Sequence, residues 1–215
     1  MTWPLGAVAL VAFGYLLGAL PFGLMLGRMT RGIDIRDYGS HRTGATNALR
    51  TLGSRTAALV FMLDVAKGVA AVLIAYALYE AGPPGSPHWV AAAAGFAAVA
   101  GHIWSVFIRF TGGRGVATSS GALGALVPLA LLILAPIVLL VVWRSRYVSL
   151  GSVTGSLLSP VVVGVLAVIG WAPWAAVAYA LAAGLLVTWA HSDNIRRLRD
   201  GTERKIGQKE VVAGG

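Results

Sequence analysis

The 215-residue sequence contains no cysteine and few charged residues. Without cysteine, the chain has no disulfide, no thiolate nucleophile and no thiolate ligand for a metal. Charged residues make up 12% of the sequence, whereas about a quarter is typical of soluble domains. The low charge and the 57% hydrophobic content exclude an ordinary soluble domain and indicate an integral membrane protein.

Acidic residues are the scarcer of the two charge types. The chain has 8 Asp and Glu against 17 Lys and Arg, which gives a formal net charge of +9. Three explanations fit this excess: loops that follow the positive-inside rule, attraction to anionic lipid, and phosphate binding. The positions of the cations decide how much each contributes.

Long apolar runs divide the chain into candidate membrane spans. Each is about long enough to cross, since a membrane-crossing helix needs about 20 residues. No charged segment with a cleavage site precedes the first run, so we interpret it as a retained transmembrane helix and not as a signal peptide. The runs are Leu5 to Gly27, Thr56 to Glu80, His88 to Ile108, Val116 to Trp143, Leu150 to Gly170 and Pro173 to Ala190.

The cations fall into four clusters, and the positive-inside rule places all four on the cytoplasmic side. Two linkers, Ala81 to Pro87 and Trp171 to Pro173, carry no cation and are predicted to be external. These sides agree only if one apolar run enters the membrane and returns. The clusters are Arg28 to Arg55, Arg109 with Arg114, Arg144 with Arg146, and Arg196 to Lys209.

The run Val116 to Trp143 is the candidate for the returning segment. At about 1.5 Å per residue it is too long for one relaxed span, and Pro128 and Pro136 within it break or kink helices. A break near Val127 and Pro128 yields seven helices, two of them short, with the N-terminus outside and the C-terminus in the cytoplasm. A uniform six-span bundle is the alternative.

The predicted fold is therefore a single all-α transmembrane domain over residues 1–215. Its cytoplasmic loops lie near residues 28–55, 109–116, 143–150 and 191–215. The three stretches rich in glycine or polar residues all fall in these loops. We expect any chemistry on small charged molecules to take place at that face.

The segment FTGGRGVATSSG has the composition of a phosphate-binding loop. Gly112, Gly113 and Gly115 permit close approach of backbone N–H groups to a ligand, and Arg114 adds a cation. The loop opens a helix whose N-terminus favours anions. The Lys-Ser/Thr ending of a Walker A loop is missing, so a plain helix connector is the alternative.

The segment DYGSHRTGATNALRTLG, residues 37–53, combines glycines with hydroxyl, amide and guanidinium groups. Thr46 and Asn47 are good helix starters, so a helix cap is one interpretation. A cap needs one hydroxyl or amide, and this segment has several beside Arg42 and Arg50. A second anion site explains this composition better than a cap alone.

The segment HSDNIRRLRDGTERKIG follows the last apolar run. Its basic residues suit a juxtamembrane anchor, but anchoring does not explain His191, Asn194 or Glu203. His191 and Asn194 are three residues apart and hence neighbours on one helix face. They are candidates to complete a site under the bundle.

Two charged residues lie deeper, within the second apolar run. Asp64 and Lys67 are spaced i, i+3 and can pair on one helix face. A pair at this depth is a candidate functional site, and a structural pair that joins two helices is the equal alternative. His102 in the third run is interpreted as a core histidine. Ser149 follows the Arg144 cluster, where serine often caps a helix.

Four segments together resemble a known family: GATNALRTLG, GHIWSVFIRFTGGRGVATSSG, RYVSLGSV and HSDNIRRLRDGTERKIG. Their sequence and order are similar to those of bacterial acyl-phosphate:glycerol-3-phosphate acyltransferases of the PlsY type. The resemblance runs along nearly the whole chain. It implies a seven-helix enzyme of the bacterial inner membrane that transfers a fatty acyl group from acyl phosphate to the first hydroxyl of glycerol 3-phosphate. The implied products are lysophosphatidic acid and inorganic phosphate.

The resemblance also implies roles for residues of the loops. Ser40 and Arg50 match residues that hold the glycerol phosphate, and Thr46 and Asn47 shape their loop. Arg114 stands where the family usually has a lysine that contacts phosphate. The predicted catalytic residues are Arg114, His191 and Asn194, and the remaining predicted substrate contacts are Lys67, Gly112, Gly113, Gly115, Thr118, Ser149 and Glu203.

The sequence departs from the family pattern at three places. After Ser40 the family typically has Gly-Asn-Pro, whereas this chain has His-Arg-Thr at residues 41–43. Arg114 replaces a point charge with a planar fork. Ser192 replaces a common arginine, a loss that Arg42 can compensate. These changes bear on substrate identity more than on reaction class.

Acyl phosphate is a mixed anhydride with a good leaving group, so the reaction needs no acyl-enzyme, in keeping with the lack of cysteine. The proton of the acceptor hydroxyl goes to His191 or to a phosphate oxygen of the substrate. The second route is favoured because no histidine–carboxylate pair stands out in the sequence. We predict no cofactor, no metal, no nucleic-acid partner, and a monomer in contact with membrane lipid.

A transporter and a non-catalytic lipid-binding protein are the competing classes. The polar motifs gather on one predicted face and no inverted repeat is visible, which argues against a transporter. Lipid binding explains the basic clusters but not the glycine and asparagine motifs.

Overall fold

The computed structural model describes residues 3–79 and 82–207. These residues form ten α-helices and two short 3₁₀ turns, without any β-strand. Glu80, Ala81 and residues 208–215, which belong to predicted spans and loops, lie outside the described residues. The helices are α1 (Trp3–Ala19), α2 (Phe22–Arg31), α3 (Ala45–Thr51), α4 (Ser54–Leu78), α5 (Ser86–Ile103), α6 (Val116–Leu126), α7 (Pro128–Ser145), α8 (Val148–Val168), α9 (Trp174–Ala190) and α10 (Ser192–Arg199).

Membrane-crossing length and composition recur along the described part of the chain. Five helical segments are long and apolar enough to cross a membrane, and α9 with α10 makes a sixth that bends by 58°. The helix α6 is apolar but shorter. The prediction of an all-α integral membrane protein is confirmed. Seven membrane helices and the sidedness of the termini remain predictions.

The first apolar run is not the single helix that the sequence predicts. α1 ends at Ala19, and the helix resumes only after Leu20 and Pro21. Pro21 has no N–H to donate and disfavours helical backbone at the residue before it. The freed carbonyl groups find buried donors: Ser105 Oγ lies 2.5 Å from the oxygen of Ala19, and Lys67 Nζ lies 3.1 Å from the oxygen of Leu20. Such partners allow a helix to break inside a membrane protein.

The long fourth run is broken where the sequence predicts, because only Val127 separates α6 from α7. α6 starts at Val116, which lines a cavity together with Glu203. α7 ends beside Arg146, whose carbonyl oxygen accepts a 2.8 Å hydrogen bond from the N–H of Ile206. Glu203 and Ile206 belong to the same C-terminal segment. The two helices therefore enter the bundle and return to one end of it.

Small residues bring the helices close together. A side chain at Gly18 of α1 would collide with the backbone of Ala98 in α5, and one at Gly121 of α6 would collide with the carbonyl oxygen of Val65 in α4. Membrane helices rely on such close contacts because lipid tails leave no hydrophobic driving force between helices. Large apolar side chains such as Leu132 of α7 lie exposed on the outside of the bundle.

We expect Gly18→Val to lower the melting temperature of the detergent-purified protein by several degrees. The new side chain would overlap the backbone of Ala98, and overpacking typically costs about 1–3 kcal/mol. Gly6→Val in the same helix is the matched control, since a side chain there meets nothing within 4 Å. Equal losses in both variants would show that helix propensity, and not the α1–α5 contact, is responsible.

Candidate active site

Four segments of the chain meet at one end of the bundle around a cavity of about 200 Å³, here named the chamber. They are the loop that leads into α3, the loop before α6, the start of α8, and the segment that runs from the end of α9 to Glu203. The structure thus brings together the three polar stretches of the sequence. The predicted site residues that line the chamber are Ser40, Thr46, Asn47, Arg50, Arg114, Gly115, Ser149, His191, Asn194 and Glu203.

Four predicted site residues do not line the chamber: Lys67, Gly112, Gly113 and Thr118. The N–H of Gly112 donates to the oxygen of Ile103 at 3.0 Å, and the N–H of Gly113 donates to the oxygen of His102 at 3.1 Å. These two amides are engaged by the end of α5, so they do not cradle a ligand. A side chain at either glycine would collide with His102. Close packing, and not ligand binding, therefore explains why glycine is needed at both positions.

The first loop is held by a side-chain amide and not by a helix cap. The capping interpretation of Thr46 and Asn47 is wrong, because α3 begins at Ala45 and no side chain caps it. Asn47 Oδ1 accepts from the N–H of Ser40 at 3.0 Å. Asn47 Nδ2 donates to the carbonyl groups of Ile35, Tyr38 and Arg42, at 2.9, 3.1 and 2.9 Å. These bonds fix the loop with Ser40 and Arg42 on the chamber wall.

Arg114 is a partly buried cation that forms no ion pair with a described residue. Its Nε is shielded from solvent and has no hydrogen-bond partner in the described part of the chain. Burial, followed by the charges of Arg42 and Arg197, lowers the pKa of Arg114 to about 10, so the guanidinium stays charged at neutral pH. A bound anion would supply the missing partner, and the planar fork of guanidinium suits phosphate.

His191 lies at the bend between α9 and α10 and is 3% exposed. Its Nδ1 lies 2.7 Å from the carbonyl oxygen of Val187. Because a carbonyl only accepts, Nδ1 carries the hydrogen and Nε2 carries the lone pair. Burial lowers the pKa of His191 to about 4. The ring is therefore neutral at physiological pH, able to accept a hydrogen bond but weak as a base.

Glu203 ties the third segment to α8. Its Oε1 accepts from Ser149 Oγ at 2.8 Å and from Asn194 Nδ2 at 2.7 Å, and its Oε2 accepts from Arg197 Nε at 2.8 Å. Burial raises the pKa of Glu203, but the hydrogen bonds from these three donors outweigh burial and lower it. Glu203 is thus a charged acceptor that positions its neighbours. Ser149 donates to it and does not cap α8, so the capping interpretation of Ser149 is wrong.

A buried set of titratable groups forms the floor of the chamber. Lys67 Nζ lies 2.9 Å from Asp64 Oδ1, so the predicted pair exists. His102 Nδ1 lies 3.4 Å from the same oxygen, without a hydrogen bond to any described residue. Asp64 and His102 line the chamber, whereas Lys67 points to the break after α1. The interpretation of His102 as a satisfied core histidine is wrong, and only tertiary packing shows its place beside Asp64.

A hollow of about 470 Å³, here named the vestibule, opens from the chamber. Its lining includes five arginines and two carboxylates and is therefore cationic. Both carboxylates are paired with arginine: Asp193 with Arg196 at 2.6 Å, and Glu203 with Arg197 at 2.8 Å. The residues shared by the vestibule and the chamber are Ser40, Arg42, Arg50, Arg114 and Glu203.

An apolar groove of about 560 Å³ also joins the chamber. It runs between α4, α6, α7, α8 and α9 and is lined mostly by leucine, valine and alanine. The groove and the vestibule share no lining residue, so the chamber lies between them. Four residues line both the groove and the chamber, and none of them is among the site residues predicted from the sequence: Phe61, Val116, Val148 and Ser152.

The chain is similar to known acyltransferases along nearly its whole length. Residues 8–201 match the family model described as glycerol-3-phosphate acyltransferase. The chain is 45% identical over 205 residues to glycerol-3-phosphate acyltransferase 3 of Dehalococcoides mccartyi, covering 93% of this chain and 95% of that relative. It is 42% identical over 203 residues to glycerol-3-phosphate acyltransferase of Halalkalibacterium halodurans, covering 94% and 96%.

The fold is similar to that of a solved membrane enzyme. A crystal structure of PlsY, an integral membrane glycerol 3-phosphate acyltransferase, in its glycerol 3-phosphate form has a TM-score of 0.83 and 37% identity, covering 94% of this chain and 96% of that chain. The lysophosphatidic acid form of PlsY has a TM-score of 0.81 at the same identity. The resemblance seen in the sequence motifs is confirmed: the chain belongs to the glycerol-3-phosphate acyltransferase family of the PlsY type.

Proposed function

We propose that this chain transfers a fatty acyl group from acyl phosphate to the sn-1 hydroxyl of glycerol 3-phosphate, giving lysophosphatidic acid and inorganic phosphate. The observation that carries the proposal is the continuous path from the apolar groove through the chamber to the cationic vestibule. An acyl chain suits the groove, a phosphorylated polyol suits the vestibule, and the two meet in the chamber. A carrier for one soluble substrate has no need of the groove.

The reaction is a direct acyl transfer. The acceptor oxygen forms a bond to the acyl carbon, the bond from that carbon to the phosphate oxygen breaks, and phosphate leaves with the electron pair. No acyl-enzyme is needed, because the leaving group is already good. Among the described residues no serine hydroxyl is hydrogen-bonded to a histidine, which agrees with a direct reaction.

The arginines supply the electrostatic part of the work. Two phosphate groups that approach within a few ångströms repel each other, and fixed cations offset that repulsion. Arg114 lines both the chamber and the vestibule and forms no ion pair with a carboxylate in the described part of the chain. Arg50 lines the same two spaces and donates to the carbonyl oxygen of Arg204 at 3.5 Å. Both side chains are placed to hold phosphate while the hydroxyl is oriented.

The acceptor proton goes to a phosphate oxygen of the substrates. His191 has a pKa lowered to about 4 by burial, which makes it a weak acceptor of a full proton. Its Nε2 lone pair can still accept a hydrogen bond from the hydroxyl and orient it. The Oδ1 of Asn194 is buried and has no partner in the described part of the chain. This atom can accept a hydrogen bond from the other hydroxyl of glycerol 3-phosphate.

The proposed enzyme works at the cytoplasmic face of the bacterial inner membrane, as a monomer and without a cofactor. The four cation clusters of the sequence support this orientation through the positive-inside rule. Chamber and vestibule lie at the end of the bundle where those clusters gather.

The first test is phosphate release by the purified protein in lipidic medium, supplied with palmitoyl phosphate and glycerol 3-phosphate. We expect release that depends on the acceptor and that falls by roughly tenfold or more in Arg50→Ala, because a hydrogen bond to a charged group is lost. Arg55→Ala removes an exposed arginine that lines none of the three spaces and serves as the matched control.

Three results would contradict the proposal. Release without dependence on glycerol 3-phosphate would indicate hydrolysis or another acceptor. Equal losses in Arg50→Ala and Arg55→Ala would remove Arg50 from the site. A folded wild-type sample without any turnover would favour a binding protein.

The pH dependence separates the two routes for the proton. With a pKa of about 4, His191 stays neutral down to that pH and produces no loss of activity between neutral pH and pH 5. A substrate phosphate loses its second negative charge below about pH 6. We therefore expect kcat/KM to fall below about pH 6 in the wild type and, at a lower overall level, in His191→Gln. An acid limb that disappears in His191→Gln would identify His191 as the base.

Single cysteines test the proposed sidedness, because the natural chain has none. In intact cells, a membrane-impermeant maleimide should label Pro84→Cys, in the linker before α5, and spare Thr202→Cys, in the third polar segment. Both variants should be labelled after the membrane is permeabilised, which shows that both thiols are accessible. The reverse pattern in intact cells would place the chamber on the outer face.

A further inference from the structure

Arg42 stands at the boundary between the chamber and the vestibule and lines both. The family pattern gives no role to an arginine here, because after Ser40 it typically has Gly-Asn-Pro, whereas this chain has His-Arg-Thr. The sequence alone suggested only that Arg42 can replace the cation lost at Ser192. Its side chain is partly buried, unlike that of the preceding residue His41, which is exposed. The position is therefore part of the site wall and not of the outer surface.

The backbone around Arg42 is held firmly. Asn47 Nδ2 donates to the carbonyl oxygen of Arg42 at 2.9 Å, and a side chain at Gly23 would collide with the carbonyl oxygen of the next residue, Thr43. His41 adopts φ = 55°, in the left-handed region that favours glycine, and its Nδ1 donates to the oxygen of Arg36 at 2.8 Å. This contact stabilises a backbone conformation that a non-glycine residue rarely adopts. The backbone that carries the Arg42 side chain is therefore fixed in position.

No described carboxylate is paired with Arg42. Residues 3–79 and 82–207 contain no ion pair that involves Arg42. The two acids of the vestibule are engaged by Arg196 and Arg197. Arg42 lies close enough to Arg114 to be, after burial, the largest influence that lowers the pKa of Arg114. Both residues line the chamber and the vestibule, and two guanidinium groups that share such a space repel each other unless an anion binds between them.

The position of the anion follows from the three spaces. A substrate with a long acyl chain enters through the apolar groove, which Arg42 does not line. A water-soluble phosphate ester arrives through the vestibule, where Arg42 is part of the wall. Arg42 therefore lies on the acceptor's side of the chamber, where a phosphate in the vestibule can contact it while the reacting hydroxyl extends into the chamber.

We propose that Arg42 and Arg114 form a two-arginine clamp on the phosphate of glycerol 3-phosphate, so that Arg42 is a specificity-determining residue for the acceptor in this chain. The inference rests on the acyltransferase function proposed above. The clamp recognises a phosphate dianion by two planar forks, a geometry that a lysine cannot reproduce. It also explains how this chain accommodates an arginine where the family pattern has a neutral residue.

The test is a comparison of KM values for the two substrates in Arg42→Ala and Arg42→Lys. We expect KM for glycerol 3-phosphate to rise by roughly ten- to hundredfold in Arg42→Ala, because a charged hydrogen bond is lost. In Arg42→Lys, KM for glycerol 3-phosphate should rise less, because the positive charge remains although the planar guanidinium fork is lost. KM for palmitoyl phosphate should stay unchanged in both, and this also shows that the rest of the site is folded.

Calorimetric titration with glycerol 3-phosphate in the absence of donor should show the same order of affinities. Arg31→Ala is the matched control, because this arginine is exposed at the end of α2 and lines none of the three spaces. We expect the control to bind and react like the wild type.

Each other outcome overturns the clamp. A rise confined to KM for palmitoyl phosphate would mean that Arg42 binds the donor. If neither KM value changes, Arg42 is a solvated charge that binds no substrate. A parallel rise in both constants, or an equal loss in Arg31→Ala, means that Arg42 acts through the loop or through net charge. Failure of the acyltransferase proposal is separate from all of these, because it appears as absent acceptor-dependent turnover in the wild type.

Discussion

The bond from the Lys67 ammonium group to the carbonyl oxygen of Leu20 is the contact on which the polar interior depends. Lys67 is paired with Asp64, Asp64 lies beside His102, and the backbone oxygen of His102 receives the N–H of Gly113. One run of polar contacts thus joins the break in the first span to the glycine-rich loop. Because an unpaired buried charge costs several kcal/mol, each group holds the next in place. Lys67 does not line the chamber, but it pairs with Asp64, which does.

The second constraint is electrostatic. The chain has about twice as many cations as acids, and the acids near the site are already committed to internal contacts: Asp64 to Lys67, Asp193 to Arg196, and Glu203 to Arg197 with two neutral donors. Arg42 and Arg114, which line the chamber, form no ion pair with a described carboxylate and can attract external anions. In the proposed function, the apolar groove on one side and the cationic vestibule on the other would separate the two substrates by solubility before they meet.

Much of the architecture was visible in the sequence because it follows from composition and length. Apolar runs predict the membrane helices, and the excess length of one run with its prolines predicts the break at Val127. The break at Pro21 was missed, since its stabilising donors, Lys67 and Ser105, lie far away in sequence. Pro136 shows the opposite case, because it lies inside α7 without ending the helix.

By itself the sequence determined the class of protein, the family and half of the residues that line the candidate site, because hydropathy, charge placement and motifs are local properties of the chain. Only the tertiary structure decided what those residues do. It showed that the side chain of Asn47, within α3, holds the preceding loop and does not cap the helix. It also engaged the amides of Gly112 and Gly113 with the end of α5 and set His102 beside Asp64. These outcomes depend on which helices pack against each other, and packing across the bundle leaves no trace in local sequence.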